Sequence, residues 1–257
     1  MRRTLHAEWT KLRTTPGPGW LLVGVIALTV GLSAVATAAV GFPPGSPPTD
    51  TTKLALTGVY LGQALVAILA VLVVSGEYST GMIRTSFTAM PRRLSVLAAK
   101  AVIVTGAVLT AGSVAAIGSL MTGRVILPGN GFTAAHGYPL LSLTDTATLR
   151  ATFGSVLYLG LVALLSLGLA AAVRDSATAI GVSLGLLYLF PIVASVVDPQ
   201  WQRRLDQVAP MTSGLYIQAT TRLHSLPLSP WEGLGVLAAW AAAALVLGGL
   251  VVTLRDA

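Results

Sequence analysis

The 257-residue chain has no cysteine, and only 10% of its residues are charged. The first absence excludes a disulfide framework, a cysteine zinc site, an iron–sulfur cluster and a thiol nucleophile. The second excludes an ordinary soluble domain, in which about a quarter of residues are charged. Disorder is excluded as well, because 54% of residues are hydrophobic and a disordered chain needs low hydrophobicity. Only three histidines are present. The mean hydropathy is +0.79, the value of a multispanning membrane protein.

Crossing a bilayer takes about 20 apolar residues in a helix. Six segments qualify: 19–40, 54–76, 101–123, 151–173, 177–197 and 233–254. None contains Asp, Glu, Lys or Arg. The expected fold is therefore all-α, a polytopic single domain of six transmembrane helices with no soluble domain. Residues 125–144 are also free of charge, but Pro128, Gly129, Asn130, Gly131, Gly137 and Pro139 interrupt them. Backbone broken that often leaves unpaired amides in lipid, so a loop is expected there. Ala34-Val35-Ala36 resembles a signal cleavage site, yet the apolar run continues beyond it, and an uncleaved first span is expected.

Six spans place both termini on one side. Ten of the sixteen Lys and Arg residues then share that side, which the positive-inside rule makes cytoplasmic. The net charge of +7 belongs to this flanking pattern, and no nucleic-acid partner is expected.

Two cytoplasmic segments carry patterns of their own. In residues 1–18, Leu5, Trp9 and Leu12 recur at i, i+4 and i+7 and share a helical face. This predicts an interfacial helix on the bilayer, ended by Pro16 and Pro18. In the 77–93 connection, Ser79 or Thr80 can cap a short helix that Pro91 stops. Met82, Ile83, Phe87 and Met90 give that helix an apolar side. Either the membrane surface or another protein would cover it.

These segments resemble the membrane subunit of type-two ABC exporters, in particular the small six-span permeases of high-GC Gram-positive bacteria. The resemblance rests on Glu8-Trp9-Thr10-Lys11-Leu12-Arg13, on Glu77, on Gly81-Met82-Ile83, on Pro91-Arg92-Arg93 and on Lys100. It implies that residues 79–90, with Arg84 and Phe87, form a coupling helix docked on a cytoplasmic ATPase subunit. It implies that the N-terminal helix (Leu5, Glu8, Trp9, Leu12) flanks it, and that two membrane subunits pair. It further implies export of a lipophilic or amphipathic cargo across a bacterial plasma membrane. None of the three lysines follows a glycine, so the chain has no Walker A motif. ATP hydrolysis is expected on a separate chain, and no cofactor is implied. The alternative is a membrane protein of immunity, regulatory or structural role that moves no substrate.

The 198–232 loop carries Trp201, Leu205 and Val208 on one helical face, with a break at Pro210. A pair of short interfacial helices and a plain amphipathic loop both fit. Small-residue ridges occur at Gly58 and Gly62 and at Ala177, Gly181 and Gly185, the pattern that lets membrane helices approach closely. Gly181-Val182-Ser183-Leu184-Gly185 matches G-x-S-x-G, but inside an apolar helix it lacks the strand–turn–helix elbow that motif needs. No catalytic or metal site is expected. A proton-coupled transporter would bury a charge in the membrane, whereas these spans offer only Gln63 and hydroxyls such as Ser155, Ser166 and Ser183.

Overall fold

A computed structural model describes residues 2–42, 48–79 and 93–254, without the side chains of residues 2–4, 12, 77–79 and 93. The described residues form ten α-helices, three 3-10 turns and no strand. The helices are α1 (Arg2–Thr14), α2 (Pro16–Ala39), α3 (Thr51–Ala55), α4 (Val59–Ser79), α5 (Arg93–Gly129), α6 (Thr146–Val173), α7 (Ser176–Ala194), α8 (Pro199–Val208), α9 (Pro210–Leu215) and α10 (Pro230–Leu254). Six of them, α2, α4, α5, α6, α7 and α10, are long and apolar enough to cross a membrane. The chain is a multi-pass, all-α membrane protein.

Local chemistry sets the helix starts. Pro16, Pro199, Pro210 and Pro230 open their helices, where the missing N–H is no loss. Asp50, Asp145 and Asp175 cap α3, α6 and α7, accepting from the backbone N–H of Lys53, Thr148 and Thr178. Arg174 ends α6 in the left-handed conformation, φ 65°, and its N–H returns to the carbonyl of Ala170.

Every span differs by some residues from its sequence boundaries, the fourth starting at Thr146 and the fifth ending at Ala194, and the second and third differ in kind. The apolar run from residue 54 does not start one helix: α3 ends at Ala55, a turn follows, and α4 begins at Val59. The reason is contact, since Gly58 lies against the Thr29 carbonyl of α2 and its N–H donates to Ser33 Oγ at 3.0 Å. The third span is longer than 101–123. Its helix α5 has 37 residues, about 55 Å at 1.5 Å per residue. That exceeds a hydrocarbon core of about 30 Å, and the helix takes in Arg93, Lys100 and Arg124. Helix α5 also continues through Pro128 into the segment expected to be loop. The loop proper covers residues 130–145, and the Arg124 guanidinium donates to the Leu141 carbonyl at 2.8 Å.

Helix α6 is the axis of the bundle. It packs on α4, α5, α7 and α10, and seventeen of its 28 residues are buried. Its sequence has no one-sided apolar stripe, as expected of a helix buried all round. Helices α2 and α7 are peripheral and turn most of their surface outward.

The bundle has two ends. The proximal end holds α1, the last turn of α4, the first turns of α5, Arg174 and the last turns of α10, where Arg174 Nη2 donates to Val251 O. The distal end holds the 48–50 segment, the 130–145 loop and the 219–222 segment.

The Asp145 cap gives a test of this construction. The Thr148 N–H donates to Asp145 Oδ2 at 2.9 Å and the Thr148 hydroxyl at 2.8 Å. These bonds hold the carboxyl below its usual range, the backbone bond contributing most. Asp145→Ala should destabilise the protein by about 0.5–1 kcal/mol at neutral pH, the low end for a solvent-exposed cap. The folded-state pKa is depressed, so the stabilisation is full above the unfolded pKa and fades as pH falls through the folded one. Melting curves of wild type and variant should converge under acid.

Candidate functional site at the proximal end

Helix α1 does not simply rest on a bilayer. Glu8 is buried, and its Oε2 meets Lys100 Nζ of α5 at 2.9 Å, with both side chains under 10% exposed. The ammonium also donates to the Val73 carbonyl of α4 at 3.3 Å. Lys11 lies 3.5 Å from the other Glu8 oxygen and is half exposed. Trp9 is half exposed, Leu5 is partly buried, and the side chain of Leu12 is outside the described residues. Helix α1 thus presents Trp9 outward and Glu8 inward.

One lysine therefore joins three helices. Buried charge is costly unless paired and hydrogen-bonded, and Lys100 has both a carboxylate and a carbonyl. The tie sits about two turns before the end of α4 and two turns after the start of α5. These are the helices that lead into and out of the 80–92 connection. Glu77 and Ser79 fall in the last turn of α4 and Arg93 opens α5, all three with side chains outside the described residues. Thr80, Gly81, Met82, Ile83, Arg84, Phe87, Pro91 and Arg92 lie outside the described residues altogether.

The interior of the bundle holds a second polar arrangement, without charge. Gln63 of α4 accepts the hydroxyl proton of Tyr158 on α6. Its amide donates to Tyr60 O at 3.1 Å, and the Tyr188 hydroxyl of α7 donates to that same carbonyl. Deeper along α6, Gln218 Nε2 donates to Ser155 Oγ at 3.1 Å. Gln63, Ser155, Tyr158 and Gln218 are fully buried. Hydrogen bonds join α4, α6 and α7 along this seam and pin α7 to the core. Sequence reading isolated Gln63 and Ser155 but had no means of pairing them with Tyr158 and Gln218.

The small-residue ridges divide. Gly58 and Gly62 form a notch for Thr29 and Ser33 of α2. Gly181 and Gly185 of α7 have no heavy atom within 4 Å of where a Cβ would stand, and Ala177 is exposed. Ser183, between them, is buried within the helix.

The two short helices after α7 exist as α8 and α9, separated at Ala209-Pro210. In α8 the Arg204 guanidinium stacks on the Trp201 ring, 5.5 Å from its centroid. Burial raises the carboxyl pKa of Asp206 on the same helix. Helix α9 is buried against α10, with further contacts to α7 and α6. No protein-family model matches the chain, and no curated protein matches it.

Proposed function

We propose that the chain is the membrane-spanning subunit of an ATP-driven exporter of the type-two ABC kind. It would work as a pair of membrane subunits, identical or not, in a bacterial plasma membrane with both termini cytoplasmic. A separate cytoplasmic ATPase would dock on residues 79–90, and its closure would push the ends of α4 and α5. The observation that carries this reading is the Glu8–Lys100–Val73 tie. It joins the N-terminal helix to both helices that flank the connection, so force applied there reaches α1, α4 and α5 together. An inert anchor helix would have no need of a buried ion pair to those two helices. The cargo would be lipophilic or amphipathic, since the buried polar seam is uncharged and the apolar helix faces are open to lipid.

The experiment is a pull-down of the detergent-solubilised chain from its native membrane. The expected result is co-purification of an ATPase subunit that is lost in the Glu77→Ala and Gly81→Pro variants at equal chain levels. Recovery of the chain alone in several detergents would favour a membrane protein that moves no substrate. Retention of the ATPase by both variants would place its docking surface elsewhere.

A further inference from the structure

At the distal end, one carboxylate gathers two loops far apart in sequence. Asp50 caps α3 through Oδ1, which accepts from Lys53 N at 3.0 Å. The same carboxylate accepts from Thr220 N at 2.6 Å, Thr220 Oγ1 at 2.7 Å and Thr221 N at 3.0 Å. Around it, Arg222 donates to Pro48 O at 3.2 Å and Arg150 of α6 donates to Ala219 O at 2.5 Å. Arg222 is held at φ 52°, a left-handed conformation that a non-glycine residue adopts only at a cost.

The segment this junction holds is a fitted wedge. Residues 209–219, comprising α9 and the Tyr216–Gln218 turn, enter between α6 and α10, and most of them are buried. Three glycines make the seat. A Cβ on Gly214 would stand 2.7 Å from the Tyr158 ring, one on Gly154 would strike Ile217, and one on Gly233 would strike the Ser213 carbonyl. The wedge is nevertheless short. Within the wedge Gln218 leaves its Oε1 without a partner, and helices of one or two turns are not stable by themselves. Its position must be fixed from outside, and at its C-terminal end Asp50 and Arg150 do so.

We propose that Asp50 is a latch that keeps the 209–219 wedge seated between the distal ends of α6 and α10. Releasing the carboxylate frees Thr220 and Thr221 together and lets the wedge lift while the six long helices stay in place. The latch needs no ATPase to operate.

Because the chain lacks cysteine, a single introduced thiol reports on the wedge. Ser213→Cys places that thiol at a fully buried site of α9 with little change of volume. In lipid nanodiscs its reaction with a membrane-impermeant maleimide should be slow. Asp50→Ser in the same background keeps a capping oxygen for α3 but cannot reach both threonines. Labelling should then accelerate about tenfold or more, the change expected for loss of one hydrogen bond to a charged group. Thr220→Val, which removes a single side-chain bond, should give a smaller increase. Hydrogen exchange checks the fold: α6 amides should stay protected while those of 211–221 exchange faster. Labelling within about twofold of the parent in both variants, with α6 protected, would overturn the latch. So would exchange that rises equally throughout the bundle, because Asp50 would then hold the whole fold and not the wedge.

Discussion

Lys100→Met should lower the stability of the solubilised protein by about 3 kcal/mol, the lower end for breaking a buried ion pair from one side. The variant leaves Glu8 buried with its Oε2 facing a thioether in place of an ammonium at 2.9 Å, and it removes the bond that ties α5 to the Val73 carbonyl of α4. The lower end applies because Lys11, 3.5 Å from Oε1 and half in solvent, still offers partial compensation. The double variant Glu8→Gln with Lys100→Met removes the stranded charge and should recover most of the loss. Thermal unfolding of the four proteins in one detergent supplies the cycle. A single variant as stable as wild type would mean that water already reaches the pair. Under the proposed function the double variant should also weaken ATPase recovery although its stability returns, which separates joining the helices from merely holding the fold.

Gly168→Leu should be at least as damaging, about 3 kcal/mol or more, with poor yield of folded protein. Helices α6 and α10 make the broadest contact in the bundle, and they touch backbone to backbone. A Cβ at Gly168 would stand 2.5 Å from the Ala244 carbonyl carbon and 2.6 Å from the Leu245 nitrogen, and one at Gly248 would stand 2.6 Å from the Gly168 carbonyl oxygen. A flexible side chain could move aside, but two helix backbones in contact have no room to relax. The same change at Gly181, where nothing lies within 4 Å, should be nearly neutral to folding of the single chain. If a second membrane subunit packs on that face, Gly181→Leu should instead shift the protein to monomer in size-exclusion chromatography. Equal thermal stability of Gly168→Leu and wild type would rule out a tight backbone contact between α6 and α10.

The glycines show how far the sequence goes. Gly58 and Gly62 stand four apart in an apolar run, the spacing of one helical face, yet Gly58 lies in the turn before α4 and only Gly62 is in the helix. The notch they form for α2 joins the first two spans. Gly168 and Gly248 are eighty residues apart and belong to no shared local pattern, so their contact is invisible until α6 and α10 lie side by side. Ala177, Gly181 and Gly185 form the better small-residue ridge on paper, yet within this chain they face outward. A ridge records what a helix can pack against and not which partner it has. Asp50 is a similar case, since nothing in the sequence around it points to Thr220 and Thr221.

The sequence by itself determined that this is a six-span helical membrane protein. Charge-free runs of about twenty apolar residues have few other stable solutions in water or lipid, because every backbone amide in a bilayer must be bonded within its own segment. It also placed a helix at the N-terminus and the break at Pro210, both of which follow from periodicity and the geometry of proline. Tertiary structure alone decided that α6 is the axis, that Glu8 turns inward to Lys100, and that residues 209–219 are a wedge between two spans. Each of these depends on pairings across tens to hundreds of residues. Apolar helices of similar hydropathy are interchangeable to the bilayer, so only side-chain fit and a few buried hydrogen bonds choose among their arrangements.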